Sequence, residues 1–219
     1  MVSHEHKAIF VHIPKTGGTS IEQIIWPLEK ARTEADLWMG FKDKYHNKYQ
    51  TGGLQHLLAV QVRKELGTDV FDRYFKFAIV RNPWTRTLSQ YFFIKKRADL
   101  MSFIGMHEND CLKRYLSLIQ EKEHVQWMPQ HKFVFDDNGE KLVNYIGFFE
   151  NFEFDVRHVL SVLNVSFGCI PHLNKYSGDS VYSIDKESYE IIANIYQRDI
   201  ALFGYSEFLM DSQSEIAQR

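Results

Sequence analysis

Short apolar runs along the chain alternate with segments whose apolar residues recur every three or four positions. Lys7 to Ile13 contains the run Ala8-Ile9-Phe10-Val11 and reads as a short buried strand, ending at Pro14 and a glycine pair. After Gly18, the residues Ile21, Ile24, Ile25 and Leu28 keep helical spacing, with Pro27 expected to kink or end that helix. Residues 31–55 are irregular, and a helix is expected from Leu57 to Leu66, stopped by Gly67. Tyr74 to Val80 is a second strand. Asn82-Pro83 then starts a helix, with Asn as N-cap and Pro at the first helical position. Further on, the pattern predicts a helix over Cys111–Ile119 and a strand over Lys132–Phe135 before the turn Asp137-Asn138-Gly139. A strand over Tyr145–Phe149 and a helix over Asp155–Leu163 follow. The last helix is capped by Asp185, lined by Tyr189, Ile192, Ala193, Tyr196, Ile200 and Phe203, and ended by Gly204. Alternating strands and helices predict an α/β fold, one domain over 1–219, with a mostly parallel central sheet flanked by helices. Ligands in such folds bind at the carboxyl ends of the strands.

The length of 219 residues suits one domain able to bury a full core, and 44% hydrophobic with 25% charged residues is a globular composition. Lys plus Arg number 26 against 28 Asp plus Glu, a net charge of −2. That balance speaks against a protein that coats nucleic acid, so no nucleic-acid partner is expected and any anion must be held by a local cluster. No apolar run approaches the roughly 18 residues of a membrane span, so no stable membrane insertion is expected. The polar start, Met1 to Lys7, leaves no room for a signal peptide. Cys111 and Cys169 lie far apart and match no zinc or redox spacing. A cytoplasmic location with both thiols buried is the expectation, and no metal site is apparent.

Two motifs carry chemistry. The first, His12-Ile13-Pro14-Lys15-Thr16-Gly17-Gly18-Thr19-Ser20, joins the first strand to the first helix. Its glycines let main-chain N–H groups turn toward a ligand, and the helix N-terminus adds donors and partial positive charge. Lys15 supplies a full charge, Thr16, Thr19 and Ser20 supply hydroxyls, and no carboxylate intrudes before Glu22. The set suits a phosphate or sulfate. Lys15 precedes the glycines and no GK[ST] occurs, which departs from the nucleoside-triphosphate P-loop.

The second motif begins where the second strand ends, Arg81-Asn82-Pro83-Trp84, with Arg86 and Ser89 on the following helix. From Arg73 to Arg97 the chain carries Arg73, Lys76, Arg81, Arg86, Lys95, Lys96 and Arg97 and no acidic residue. Arg81 is expected on the same sheet rim as Lys15.

These residues resemble a family. Pro14-Lys15-Thr16-Gly17-Gly18-Thr19-Ser20 is similar to the 5′-phosphosulfate loop of sulfotransferases that use 3′-phosphoadenosine 5′-phosphosulfate (PAPS). Phe77 to Trp84 with Ser89 resembles their 3′-phosphate site. The likeness is nearest to the carbohydrate branch, the heparan and chondroitin O-sulfotransferases and their bacterial relatives. It extends through Ile146–Phe152, Pro171-His172-Leu173-Asn174-Lys175 and Asp199–Tyr205. The resemblance implies a P-loop-like domain in which Lys15 and the amides of Thr16, Gly17, Gly18, Thr19 and Ser20 hold the 5′-phosphate and departing sulfuryl group. Arg81 and Ser89 hold the 3′-phosphate, and Asn174 and Lys175 close over the nucleotide or form an exposed loop. It also implies in-line transfer to a hydroxyl of a sugar or small metabolite without metal, releasing 3′-phosphoadenosine 5′-phosphate.

The acceptor hydroxyl needs a base, and His56 in Gly53-Leu54-Gln55-His56-Leu57 is the first candidate, with Glu22 and His12 as rivals. Gln126-Trp127-Met128-Pro129-Gln130-His131 either offers a sugar platform or packs in the core. Two other functions fit the cradle. One is an ATP- and Mg²⁺-dependent nucleoside or nucleotide kinase, with Asp136 as its one possible strand-end carboxylate. The other is a non-catalytic nucleotide-binding module.

Overall fold

A computed structural model describes residues 1–26, 36–38, 40–46, 51–168 and 184–205. The chain forms two compact units that interleave in sequence, Met1–Arg81 with Gln130–Asn174 and Asn82–Pro129 with Lys175–Arg219.

The first unit contains strands β1 (Val2–Ser3), β2 (Ala8–Phe10), β3 (Phe41–His46), β4 (Thr51–Gly53), β5 (Phe75–Val80) and β6 (Tyr145–Phe148). The main sheet has the order β1-β2-β5-β6. Only β1 runs antiparallel to its neighbour; Ala8 pairs with Phe75 and Phe77 with Tyr145 in parallel register. Every residue of β5 after Phe75 is buried, as expected for a parallel strand covered on both faces. On one face, Phe77 and Ile79 pack with Phe10 against Ile21, Ile24 and Ile25 of the Gly18–Ile25 helix and Val156, Val159 and Leu160 of the Phe152–Val162 helix. The expected first strand is shorter than predicted: the ladder stops at Phe10, although Val11 still donates its N–H to Phe77 at 2.9 Å.

On the other face, the period of two turns Lys76 inward. Its ammonium donates to the carbonyls of Phe71 (2.9 Å), Tyr74 (2.9 Å) and Asp72 (3.3 Å), closing the Thr68–Arg73 helix, and burial lowers its pKa. Lys76 therefore serves a helix end. The antiparallel pair β3–β4 is tied to the Ala59–Leu66 helix through Glu65, which accepts from Lys42 (2.6 Å), from the Tyr45 hydroxyl (2.7 Å) and from Lys44. Burial raises the Glu65 carboxyl, but these three donors outweigh it and hold it at about 2.

Two predicted elements differ. Lys132–Phe135 is not a strand: His131–Val134 is a single helical turn, and only Phe135 bridges to Lys141. A four-residue apolar run has too few positions for its period to separate the two geometries, and the bond from Phe133 N–H to the Gln130 carbonyl (3.0 Å) selects the helical one. The predicted turn does form, with Asp136 accepting the amides of Asn138 (3.0 Å) and Glu140 (2.8 Å).

The second unit is helical among the described residues: Pro83–Ile94, Ala98–Ile104, Leu112–Glu121, Lys186–Ile195 and Gln197–Phe203. Asn82 caps the first of these by accepting the amides of Trp84 (3.1 Å) and Thr85 (3.2 Å), as the Asn-Pro pair predicts. The last predicted helix is two, divided at Tyr196, whose buried hydroxyl donates to the Trp127 carbonyl at 2.9 Å. Asp185 caps the first of the two through the Ser188 amide (2.9 Å) and hydroxyl (2.7 Å). Cys111 is exposed rather than buried, and Cys169 lies outside the described residues.

Candidate functional site

The loop that leaves β2 carries two left-handed residues, Lys15 at φ +70° and Gly17 at φ +85°. A lysine in that region costs about 1 kcal/mol, so the loop sacrifices local stability to shape its backbone. Thr16, fully buried, donates its hydroxyl to the Ile13 carbonyl at 2.9 Å, which corrects the reading of that hydroxyl as a ligand donor. The Gly18–Ile25 helix then begins with no side chain capping it and no acid in its first turn. The partial positive charge of its N-terminus is therefore not offset by a cap or an acid of its own first turn.

Both glycines are required by their neighbours. A Cβ on Gly17 lies 2.8 Å from the Phe152 ring and 3.1 Å from Phe149, and one on Gly18 lies 2.1 Å from Nε2 of His12. The His12 ring occupies the place where any other side chain at 18 would go. It stacks on Phe10 with centroids 5.2 Å apart, and its Nδ1 lies 3.0 Å from Glu22 Oε1, out of line for a hydrogen bond. Gln55 donates to the same carboxylate oxygen at 3.2 Å. Glu22 is buried and engaged from two sides.

His56 closes the turn Leu54–His56 that follows β4 and is half-buried. Its Nδ1 is 3.0 Å from the His12 carbonyl, and its ring centroid is 4.6 Å from that of His12. A carbonyl can only accept, so Nδ1 carries a proton, and in the neutral form of the ring the lone pair is on Nε2. The structure thus brings His56, His12, Glu22 and the Lys15–Ser20 loop into one neighbourhood.

Arg81 is half-buried at the end of β5. Its Nη1 donates to the Lys15 carbonyl at 3.3 Å, and its guanidinium lies 4.2 Å from the centroid of the Phe149 ring. The strand-end arginine and the loop lysine, separated by 66 positions, therefore meet through the lysine's main chain. Gln130, completely buried, binds the Arg81 main chain at both its N–H (2.8 Å) and its C=O (2.7 Å). Gln130, Phe149, Phe152 and Gln55 fall within segments that the sequence singles out, but their parts in the site, against Arg81, Gly17 and Glu22, are visible only in the folded chain.

Other members of the basic run have structural duties in addition to Lys76. In the second unit, Arg86 is buried and donates to the carbonyls of Met128 (3.1 Å) and Gln126 (3.5 Å), with burial lowering its pKa. Arg97 pairs with Asp99 at 2.6 Å on the surface. Ser89 lies in the Pro83–Ile94 helix of that unit, half-exposed. Asn174 and Lys175 lie outside the described residues. The Trp127 ring is 4% exposed, packs against His124 with centroids 4.8 Å apart and donates Nε1 to the Lys122 carbonyl, so it is core rather than a sugar platform. Among the described residues no three His, Cys, Asp or Glu side chains are grouped to hold a metal ion, and no helix is long and apolar enough to cross a membrane.

An α/β unit with an uncapped, glycine-lined strand-to-helix loop and an arginine on the neighbouring parallel strand end gathers the kinds of donor that suit an anion. The chain belongs to the sulfotransferase family, whose model matches residues 1–206. It is 24% identical over 247 aligned positions to carbohydrate sulfotransferase 10 of Xenopus laevis, covering 94% of this chain and 67% of that protein. It is also 23% identical over 128 residues to an uncharacterized protein of Archaeoglobus fulgidus, covering 58% of this chain and 98% of that one. No solved structure gives a significant match.

Proposed function

We propose that this sulfotransferase takes its sulfuryl group from PAPS and delivers it to a hydroxyl of a carbohydrate or other small acceptor. The observation that carries the reading is the cradle of Gly17 and Gly18, with Lys15 before it and no carboxylate in the helix's first turn. Its donor set of amides and one ammonium suits a phosphosulfate. Lys15 and the amides from Thr16 to Ser20 hold the donor's 5′ end, and Arg81 with Ser89 holds the 3′-phosphate. Asn174 and Lys175 contact the nucleotide. The 3′-phosphate takes no part in the bond change, so its binding energy serves to orient the reacting group.

The acceptor oxygen bonds to sulfur as the bond from sulfur to the 5′-phosphate oxygen breaks. His56 Nε2 takes the hydroxyl proton, and Lys15 stabilises the charge developing on the leaving phosphate. His56 is favoured over Glu22 and His12 because it is half-exposed, while Glu22 is buried against His12 and Gln55. The similarity to carbohydrate sulfotransferase 10 supports a sugar acceptor and the carbohydrate branch. We further propose one sulfotransferase domain over 1–219, a cytoplasmic site of action and catalysis without metal.

The kinase reading is disfavoured by Asp136. That carboxylate follows a helical turn instead of a sheet strand and accepts two amides of its own turn. Transfer of labelled sulfate from PAPS to a panel of sugars and small alcohols tests the proposal. Parallel thermal shifts compare 3′-phosphoadenosine 5′-phosphate without metal against ATP with Mg²⁺. Stabilisation by ATP with Mg²⁺ alone overturns it, and binding without transfer to any acceptor favours a non-catalytic nucleotide-binding module.

A further inference from the structure

We infer that Gln130 is a positioning residue that holds Arg81 in the pose in which it serves the donor's 3′-phosphate; the inference rests on the function proposed above. The ladder between β5 and β6 ends at Val80 and Phe148, one residue before Arg81. The main chain of Arg81 is instead paired by a side chain. Gln130 Oε1 accepts its N–H at 2.8 Å and Gln130 Nε2 donates to its carbonyl at 2.7 Å, so one amide does the work of an adjacent strand. Only this orientation of the amide satisfies both partners, because an N–H needs an acceptor and a C=O needs a donor.

The Gln130 side of the clamp is completely buried, which limits the access of water to both bonds. It fixes where the Arg81 side chain departs from the sheet. The guanidinium is then set by two further contacts, the Phe149 ring beneath it at 4.2 Å and the Lys15 carbonyl at 3.3 Å from Nη1. A planar guanidinium recognises phosphate oxygens through fixed donor directions, so a main chain free to rock costs binding even when the charge is retained. Gln130 is 49 positions from Arg81 in sequence and contributes no charge, which separates its effect from simple electrostatics.

The test compares affinity for 3′-phosphoadenosine 5′-phosphate with affinity for AMP, which lacks the 3′-phosphate, by calorimetric titration. The proteins are wild type, Arg81→Ala, Gln130→Met, Gln130→Leu and each Gln130 variant combined with Arg81→Ala. Gln130→Met and Gln130→Leu both remove the two bonds without adding charge, the first at similar volume and the second at slightly smaller volume. Either is expected to weaken the bisphosphate about tenfold, with AMP changed less than about twofold. In the Arg81→Ala background neither variant should lower the bisphosphate affinity further. Equal loss for both nucleotides, unchanged bisphosphate affinity, or full additivity with Arg81→Ala overturns the inference. The Arg81→Ala arm reports separately on the underlying reading: if it leaves the preference for the bisphosphate intact, the 3′-phosphate assignment itself falls. Should Gln130→Met fail to fold, Gln130→Leu carries the same comparison.

Discussion

The imidazole of His56 donates through Nδ1 to the main-chain carbonyl of His12, 3.0 Å away. That bond joins the turn after β4 to the chain just before the Lys15–Ser20 loop, and it selects the tautomer whose Nε2 can take a proton. His56→Ala is therefore expected to lower kcat by roughly 10²–10⁴-fold. Affinity for 3′-phosphoadenosine 5′-phosphate should stay near wild type. Steady-state assays at saturating donor, with direct titration of the nucleotide, check both halves. Wild-type turnover in the variant would remove His56 as the base.

Gly18→Ala places a methyl group 2.1 Å from His12 Nε2, so the His12 ring must move and the loop with it. Overpacking of this kind costs about 1–3 kcal/mol. Because Gly17 combines φ +85° with the Phe152 contact, Gly17→Ala should cost at least as much. Both variants should melt at lower temperature than wild type and bind the nucleotide more weakly. A wild-type melting profile with full nucleotide affinity contradicts the packing described.

The proposed function assigns Lys15 and Arg81 to different ends of the donor, and their variants should separate accordingly. Lys15→Ala is expected to reduce kcat sharply. Arg81→Ala should weaken donor binding by about ten- to a hundredfold, the worth of one or two charge-assisted hydrogen bonds. Measuring kcat and donor KM for both variants makes the comparison, and identical profiles contradict the division of labour.

His124 supplies a pH dependence in the second unit. Its imidazole is 4% exposed, accepts the Gln126 amide on Nδ1 at 3.1 Å, and its Nε2 has no partner among the described residues. Burial pushes it from 6.5 down to about 4, with Asp99 opposing. Between those values the unfolded chain binds a proton that the folded chain refuses. The contribution is complete above about pH 6.5 and is lost as the pH falls through the window toward 4, by roughly 3 kcal/mol. Melting temperatures from pH 7.5 to 4 should show the decline, and His124→Asn should flatten that part of the curve.

Local chemistry is readable in a sequence when neighbours along the chain are also neighbours in space. The Lys15–Ser20 loop, the Asn82 cap, the Asp185 cap and the Asp137-Asn138-Gly139 turn all act within a few residues, so residue type and spacing alone determined them. The parallel strand β5 was equally legible, because burial on both faces leaves a continuous apolar run. Lys132–Phe135 was not, since a four-residue run satisfies either period and its hydrogen bonds decide. Only the tertiary structure divided the basic run from Arg73 to Arg97, because the charge of Lys76 or Arg86 says nothing of which carbonyls its strand or helix will turn it toward. Only folding could bring Gln130 to Arg81, Phe149 to Gly17 and His56 to His12. Such contacts depend on sheet order and register, which no local pattern encodes.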